Sequence, residues 1–197
     1  EQIKLAEAAN VYFTIGASGL KRYLDEKGDS ECREREYLFC LACDRNSEDF
    51  EYFKHQYSLY KEPRFKNVCM EAMIYVDNNK ALGFLDEEIG RYDLNRLVKK
   101  RGHDLGIIII RAHKLLFYFL LKACYYLNEI NDSLVNKLKI LAEAREAATS
   151  TPAMLILEKF GVAPIDKKRI DTTQELLFKT MSSPAHLLSM AKSSGRL

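Results

Sequence analysis

Between Lys99 and Leu105 the chain reads Lys-Lys-Arg-Gly-His-Asp-Leu. Lys99, Lys100 and Arg101 can hold phosphate by charge. His103 carries an imidazole, which titrates near pH ~6.5 when unperturbed and so can move a proton at neutral pH. A second basic run, Lys167, Lys168 and Arg169, lies in a loop-like stretch, 162–171. These six cations are the candidate nucleic-acid-binding residues. The turn also has a purely structural use. Gly102 can end a helix in the left-handed conformation, and Asp104 can cap the next one.

Three further sets could do chemistry. Cys40-Leu41-Ala42-Cys43 has zinc-like spacing, with Cys32 upstream and His55 downstream. A closed zinc site needs four converging ligands, and a redox pair of this type wants a βαβ setting. Neither is present here, so the cysteines read as small core residues with no metal and no cofactor. Phe50, Tyr52, Phe53, Tyr57, Tyr60 and Phe65 could stack bases, but few Arg or Lys interleave them. They read as core or as a partner-facing helix. His113 falls in the apolar face of a long helix, where an imidazole is expected to be buried, neutral and structural. Phosphate-binding glycine loops, nucleophile elbows, zinc-protease helices and paired carboxylates are missing from the sequence.

The elements that must carry these residues are helical. Only 4 Pro and 9 Gly occur in 197 residues, and alternating apolar and polar runs are scarce. Apolar spacings of three and four predict a helix from Ile3 to about Glu26, bent or closely packed at Gly16 and Gly19. Further helices are expected at about Cys32–Asp44, from an N-cap at Ser47 through Tyr60, and over Arg64–Leu85 with a break at Asp77-Asn78-Asn79. A short basic helix follows from Asp93 to Arg101. The run 105–127 is the longest. Gly106–Ile110 alone would also suit a buried strand, but the helical pattern continues far past strand length. Leu134–Ala148 is the next helix. Another starts at Thr151-Pro152, with Pro in the first position, and closes at Gly161. Thr172-Thr173-Gln174-Glu175 reads as a capping box, and Ser183-Pro184 opens a last short helix.

The fold class is therefore all-α: a helical bundle of about eight or nine helices, one domain over 1–192 with a frayed tail at 193–197, around the central helix 105–127. That helix is long enough to span a membrane, yet Arg111, His113, Lys114 and Lys122 interrupt it, so no membrane segment is expected. Net charge is +2, with 12 bases against 8 acids in residues 61–122, a mild bias toward a phosphate-bearing partner. Five cysteines, an odd count, and no secretory leader fit a reducing, cytoplasmic setting. The opening Glu-Gln-Ile-Lys, without an initiator Met, is expected of a piece of a longer protein.

The order of Cys69-Met70-Glu71-Ala72-Met73-Ile74, then Lys80-Ala81-Leu82-Gly83-Phe84-Leu85, then Lys99-Lys100-Arg101-Gly102-His103-Asp104-Leu105 resembles the HEPN superfamily. These are small all-α domains of RNA-targeting proteins. The resemblance spans roughly Val68–His113. It implies an RNA-binding or RNA-processing protein, with RNA as partner and a symmetric homodimer as assembly. Ribonuclease members carry Arg, four to six residues, then His, a spacing met here by Arg96 and His103. Cleavage of RNA by its own 2′-hydroxyl needs a base of near-neutral pKa and a cation on the phosphate. By that resemblance His103 and Arg96 are the candidate catalytic pair. The competing reading is a non-enzymatic helical scaffold or protein-interaction domain. Convergence of the two basic clusters would favour RNA. An exposed aromatic helix at 47–60 would favour a protein partner.

Overall fold

The apolar run expected at 105–127 folds as α7 (Ile107–Tyr125). Ile107–Ile110 form its first turn, which closes the strand option. The computed structural model describes residues 2–27, 34–43, 45–99, 107–162 and 167–180. Among these it is all-helical, without a strand. Before α7 come α1 (Gln2–Lys27), α2 (Glu34–Ala42), α3 (Asp49–Leu59), α4 (Pro63–Val76), α5 (Asn78–Gly90) and α6 (Leu94–Lys99). After it come α8 (Asp132–Ala142), α9 (Ala147–Lys159), a 3₁₀ turn at Lys167–Arg169 and α10 (Thr172–Thr180). The expected helix at Ser183, the tail 193–197 and the Gly102–Asp104 turn lie outside the described residues.

The centre holds three helices rather than one. In α4 every residue from Val68 to Met73 is buried, and in α9 every residue from Thr149 to Leu157. Helical stretches buried all round, even at Glu71 and at Thr149-Ser150-Thr151, lie inside a bundle. α7 packs against both of them; α2 and α3 cover α4, while α8 and α10 cover α9. α1 lies on α2, and α6 on α8. The aromatic helix faces inward: Phe50, Phe53 and Tyr57 are buried.

Ten α-helices form among the described residues, against eight or nine expected. Asp77 supplies the extra boundary. Its backbone is extended (φ −152°, ψ 96°), and its carboxylate accepts from the Lys80 N–H at 3.0 Å. One residue thus ends α4 and caps α5. Gly16 supplies the bend expected in α1, at φ 69°, ψ 176°.

Four local expectations are corrected. α8 stops at Ala142 rather than Ala148. The reason is tertiary: the Arg169 guanidinium donates to the Ala142 carbonyl at 2.9 Å and clasps the Glu143 carboxylate at 3.0 and 3.2 Å. α9 starts at Ala147, so Pro152 sits inside the helix instead of opening it. Ser47 is not the N-cap of α3; Asn46 forms the turn, its side-chain oxygen accepting from the Glu48 N–H at 3.1 Å. The Thr172–Glu175 capping box does not form. Asp171 takes the Gln174 N–H at 2.9 Å, and Glu175 pairs with Lys179 at 2.6 Å.

Candidate functional site

Asp93 opens α6, its carboxylate accepting from the Arg96 N–H at 3.0 Å. Leu94 and Leu97 pack on the core. Tyr92, just before them, meets Phe117 of α7 edge-on at 4.8 Å between centroids. The short helix is thereby pinned while Arg96 and Lys99 stay exposed. Neither has a carboxylate partner among the described residues. Lys139 of α8, which sequence reasoning passed over, is likewise exposed and unpaired there.

α5 runs beside the first half of α8, where Asp86 accepts from Ser133 at 3.1 Å and Lys137 at 2.7 Å. α6 continues onto α8, and Arg169 is tied to the C-terminal end of the same helix. The two basic segments therefore share α8 as a support. Lys168 is exposed. Arg169 is committed to Glu143 and Ala142, which gives it a structural duty. Lys100, Arg101 and His103 lie outside the described residues, as do the side chains of Lys167 and His113, so the Arg96–His103 geometry does not enter.

A second feature lies at the opposite end of α5. Arg45, Glu71, Tyr75, Asn78, Tyr126 and Asn128, with Ile74, line a cavity of about 300 Å³. Asn78 fixes its rim by accepting from the Asn128 N–H at 2.9 Å. Arg45, a non-glycine residue at φ 50°, holds a left-handed backbone that side chains rarely adopt. Its guanidinium lies 4.5 Å from the Tyr75 ring centroid and donates to the Tyr75 hydroxyl at 3.3 Å. Glu71, by contrast, is only 5% exposed and accepts from the Asn67 amide at 2.9 Å.

Lys122 of α7 is 4% exposed. Its ammonium donates to the Phe178 carbonyl of α10 and sits 4.8 Å from the Phe178 ring centroid and 5.4 Å from that of Tyr126. Burial pulls its pKa down to about 8, and the charge of Glu71 acts in the other direction. Another buried network joins α3 to α5. Tyr57 donates to Glu88 at 2.8 Å, and Arg91 pairs with the same carboxylate. Burial first, and the bond to Glu88 second, push the Tyr57 hydroxyl well above its ordinary range.

Cys40, Cys69 and Cys124 are buried free thiols, and Cys43 is half-buried. Desolvation, then Cys43 and Glu36, push the Cys40 thiol up to about 12, far from the thiolate a ligand or nucleophile needs. Among the described residues no cluster of three or more His, Cys, Asp or Glu is placed to hold a metal. No helix there is long and apolar enough to cross a membrane. Comparison with known proteins finds no matching family model, no similar curated protein and no similar solved structure.

Proposed function

We propose that this chain is an RNA-binding or RNA-processing domain of the HEPN-like kind, and that it meets RNA through the α6 face. The observation that carries the reading is the pair Arg96 and Lys99. Both are exposed on a pinned helix and lack carboxylate partners among the described residues. Cations left unneutralised on a rigid support are what phosphate contacts require. Lys139, on α8, extends the same charge. The inward-facing α3 removes the feature that would have favoured a protein partner.

The finer form of the proposal makes Arg96 the phosphate-holding cation and His103 the base, with a symmetric homodimer bringing two pairs into one cleft. Binding and cleavage of a labelled single-stranded RNA across salt concentrations test both levels. Lys99→Ala should weaken binding evenly across sequences and lower the salt slope by about one. Lys54→Ala, on the exposed side of α3, should leave both unchanged. His103→Ala should abolish cleavage and spare binding. Equal affinity of Lys99→Ala, Arg96→Ala and the parent protein would refute the binding face. Cleavage surviving His103→Ala would remove the catalytic pair.

A further inference from the structure

We infer that the cavity beside Arg45 binds a small oxyanion, a carboxylate or phosphate on a compact body. The reading rests on which charges around the cavity are already answered. Glu71, the acid in its wall, is buried, accepts from the Asn67 amide at 2.9 Å and has the buried Lys122 ammonium acting against its charge. Asp77, beside the lining Asn78, pairs with Lys80 at 3.6 Å. Arg45 is the lining charge left over. Among the described residues its guanidinium meets no carboxylate, only the ring and hydroxyl of Tyr75. A ligand that cancels this charge must be negative, and a cation would be repelled.

The donors for such a group are in place. A guanidinium carries five N–H donors in a fixed fork. Arg45 gives one bond to the Tyr75 hydroxyl at 3.3 Å, so the remaining donors can take a carboxylate or phosphate. Stacking on the Tyr75 ring holds the fork in one orientation, which lowers the ordering cost of binding. The left-handed backbone of Arg45, at φ 50°, is strain of a sort found at ligand clamps. Asn78 spends its side-chain oxygen on the Asn128 N–H, which leaves its amide nitrogen as a donor. Both asparagines line the same cavity, and the exposed Asn128 offers a second amide. Ile74 and the Tyr75 ring supply an apolar wall for the body of the ligand. The volume of about 300 Å³ suits a small metabolite rather than a peptide segment. This site stands apart from the α6 face, at the other end of α5, so its fate does not depend on the RNA reading.

The test is a titration of the full chain, followed by amide resonances around the cavity. Butyrate against butyramide and butylamine compares an anion with a neutral and a cationic molecule of like size. Methyl phosphate against acetate separates the two sources of the oxyanion, and a short oligouridylate represents RNA. Butyrate or methyl phosphate should bind at least about tenfold more tightly than butyramide or butylamine. Arg45→Gln, at an exposed position, should erase that advantage. Arg45→Lys should weaken binding, because a point charge replaces the fork. Lys54→Ala, which removes an equal charge elsewhere, should change nothing. If Arg45→Gln fails to fold, the comparison of butyrate with butyramide on the parent chain still decides. The proposal is overturned if neither anion shifts these resonances at about 10 mM. It is equally overturned if butyramide binds as well as butyrate, if Arg45→Gln keeps the parent affinity, or if only the oligouridylate binds.

Discussion

Lys122 shows how far a single side chain can depart from its type. Its ammonium is buried, held by one carbonyl and two rings, and its pKa falls to about 8 from an ordinary 10.5. Below about pH 8 both folded and unfolded chains carry the proton, and the fold bears the full desolvation penalty. Between about 8 and 10.5 the folded amine is neutral while the unfolded one is still charged. The unfolded state then binds more protons, so the Lys122 contribution to stability rises with pH across that window. The expected rise is on the order of 3 kcal/mol. Chemical denaturation of the parent and of Lys122→Met at stepped pH isolates it. The difference between the two should grow in favour of the parent from pH 8 to 10.5, whatever the variant's absolute stability. A flat difference would mean that the amine is hydrated. On a helical wheel Lys122 falls on one side with Tyr118 and Tyr125, and nothing local to α7 tells that Phe178 of α10 closes over the three, since the covering carbonyl lies 56 residues away.

At the scale of elements, boundaries set by local chemistry were legible, and those set by distant partners were not. The bend at Gly16 was readable because only glycine adopts φ 69°, ψ 176° without strain. Gly16→Ala should therefore cost about 1–3 kcal/mol in thermal or chemical denaturation, although nothing crowds the position. The cap of α8 is likewise set by local residues, in Asn131-Asp132-Ser133. Asn131 accepts from the Leu134 N–H at 2.8 Å, and Asn131→Ala should cost about 1 kcal/mol by the same measurement. Misreading began where a helix ends on a side chain from elsewhere. Nothing near Ala142 foretells Arg169, so a helix running to Ala148 was the natural reading. The break at Asp77 was seen, but the capped restart that separates α4 from α5 needed the Lys80 bond to be visible.

At the scale of the whole molecule, α5 separates two regions of different chemistry. Its 13 residues span about 20 Å, with the Arg45–Glu71 cavity at one end and the α6 cations beyond the other. The basic runs were legible because charge is a property of residue type. The cavity was not, because its walls come from the turn before α3, from α4, from the start of α5 and from the segment after α7. Stability should also be uneven. The middles of α4 and α9 are buried all round, whereas α10 is a short outer helix in which Leu176 and Leu177 are exposed and Phe178 is the buried anchor. Amide hydrogen exchange should find α10 opening well before α4 and α7. Equal protection of all three would contradict this.

The clasp between Lys122 and the Phe178 carbonyl also orders events during synthesis. α7 leaves the ribosome long before α10. At ~5–20 residues per second the intervening 56 residues take several seconds. Throughout that interval the Lys122 amine has no Phe178 carbonyl to receive it. The last turn of α10 then acts as a plug, expelling water from around a cation that has waited for it.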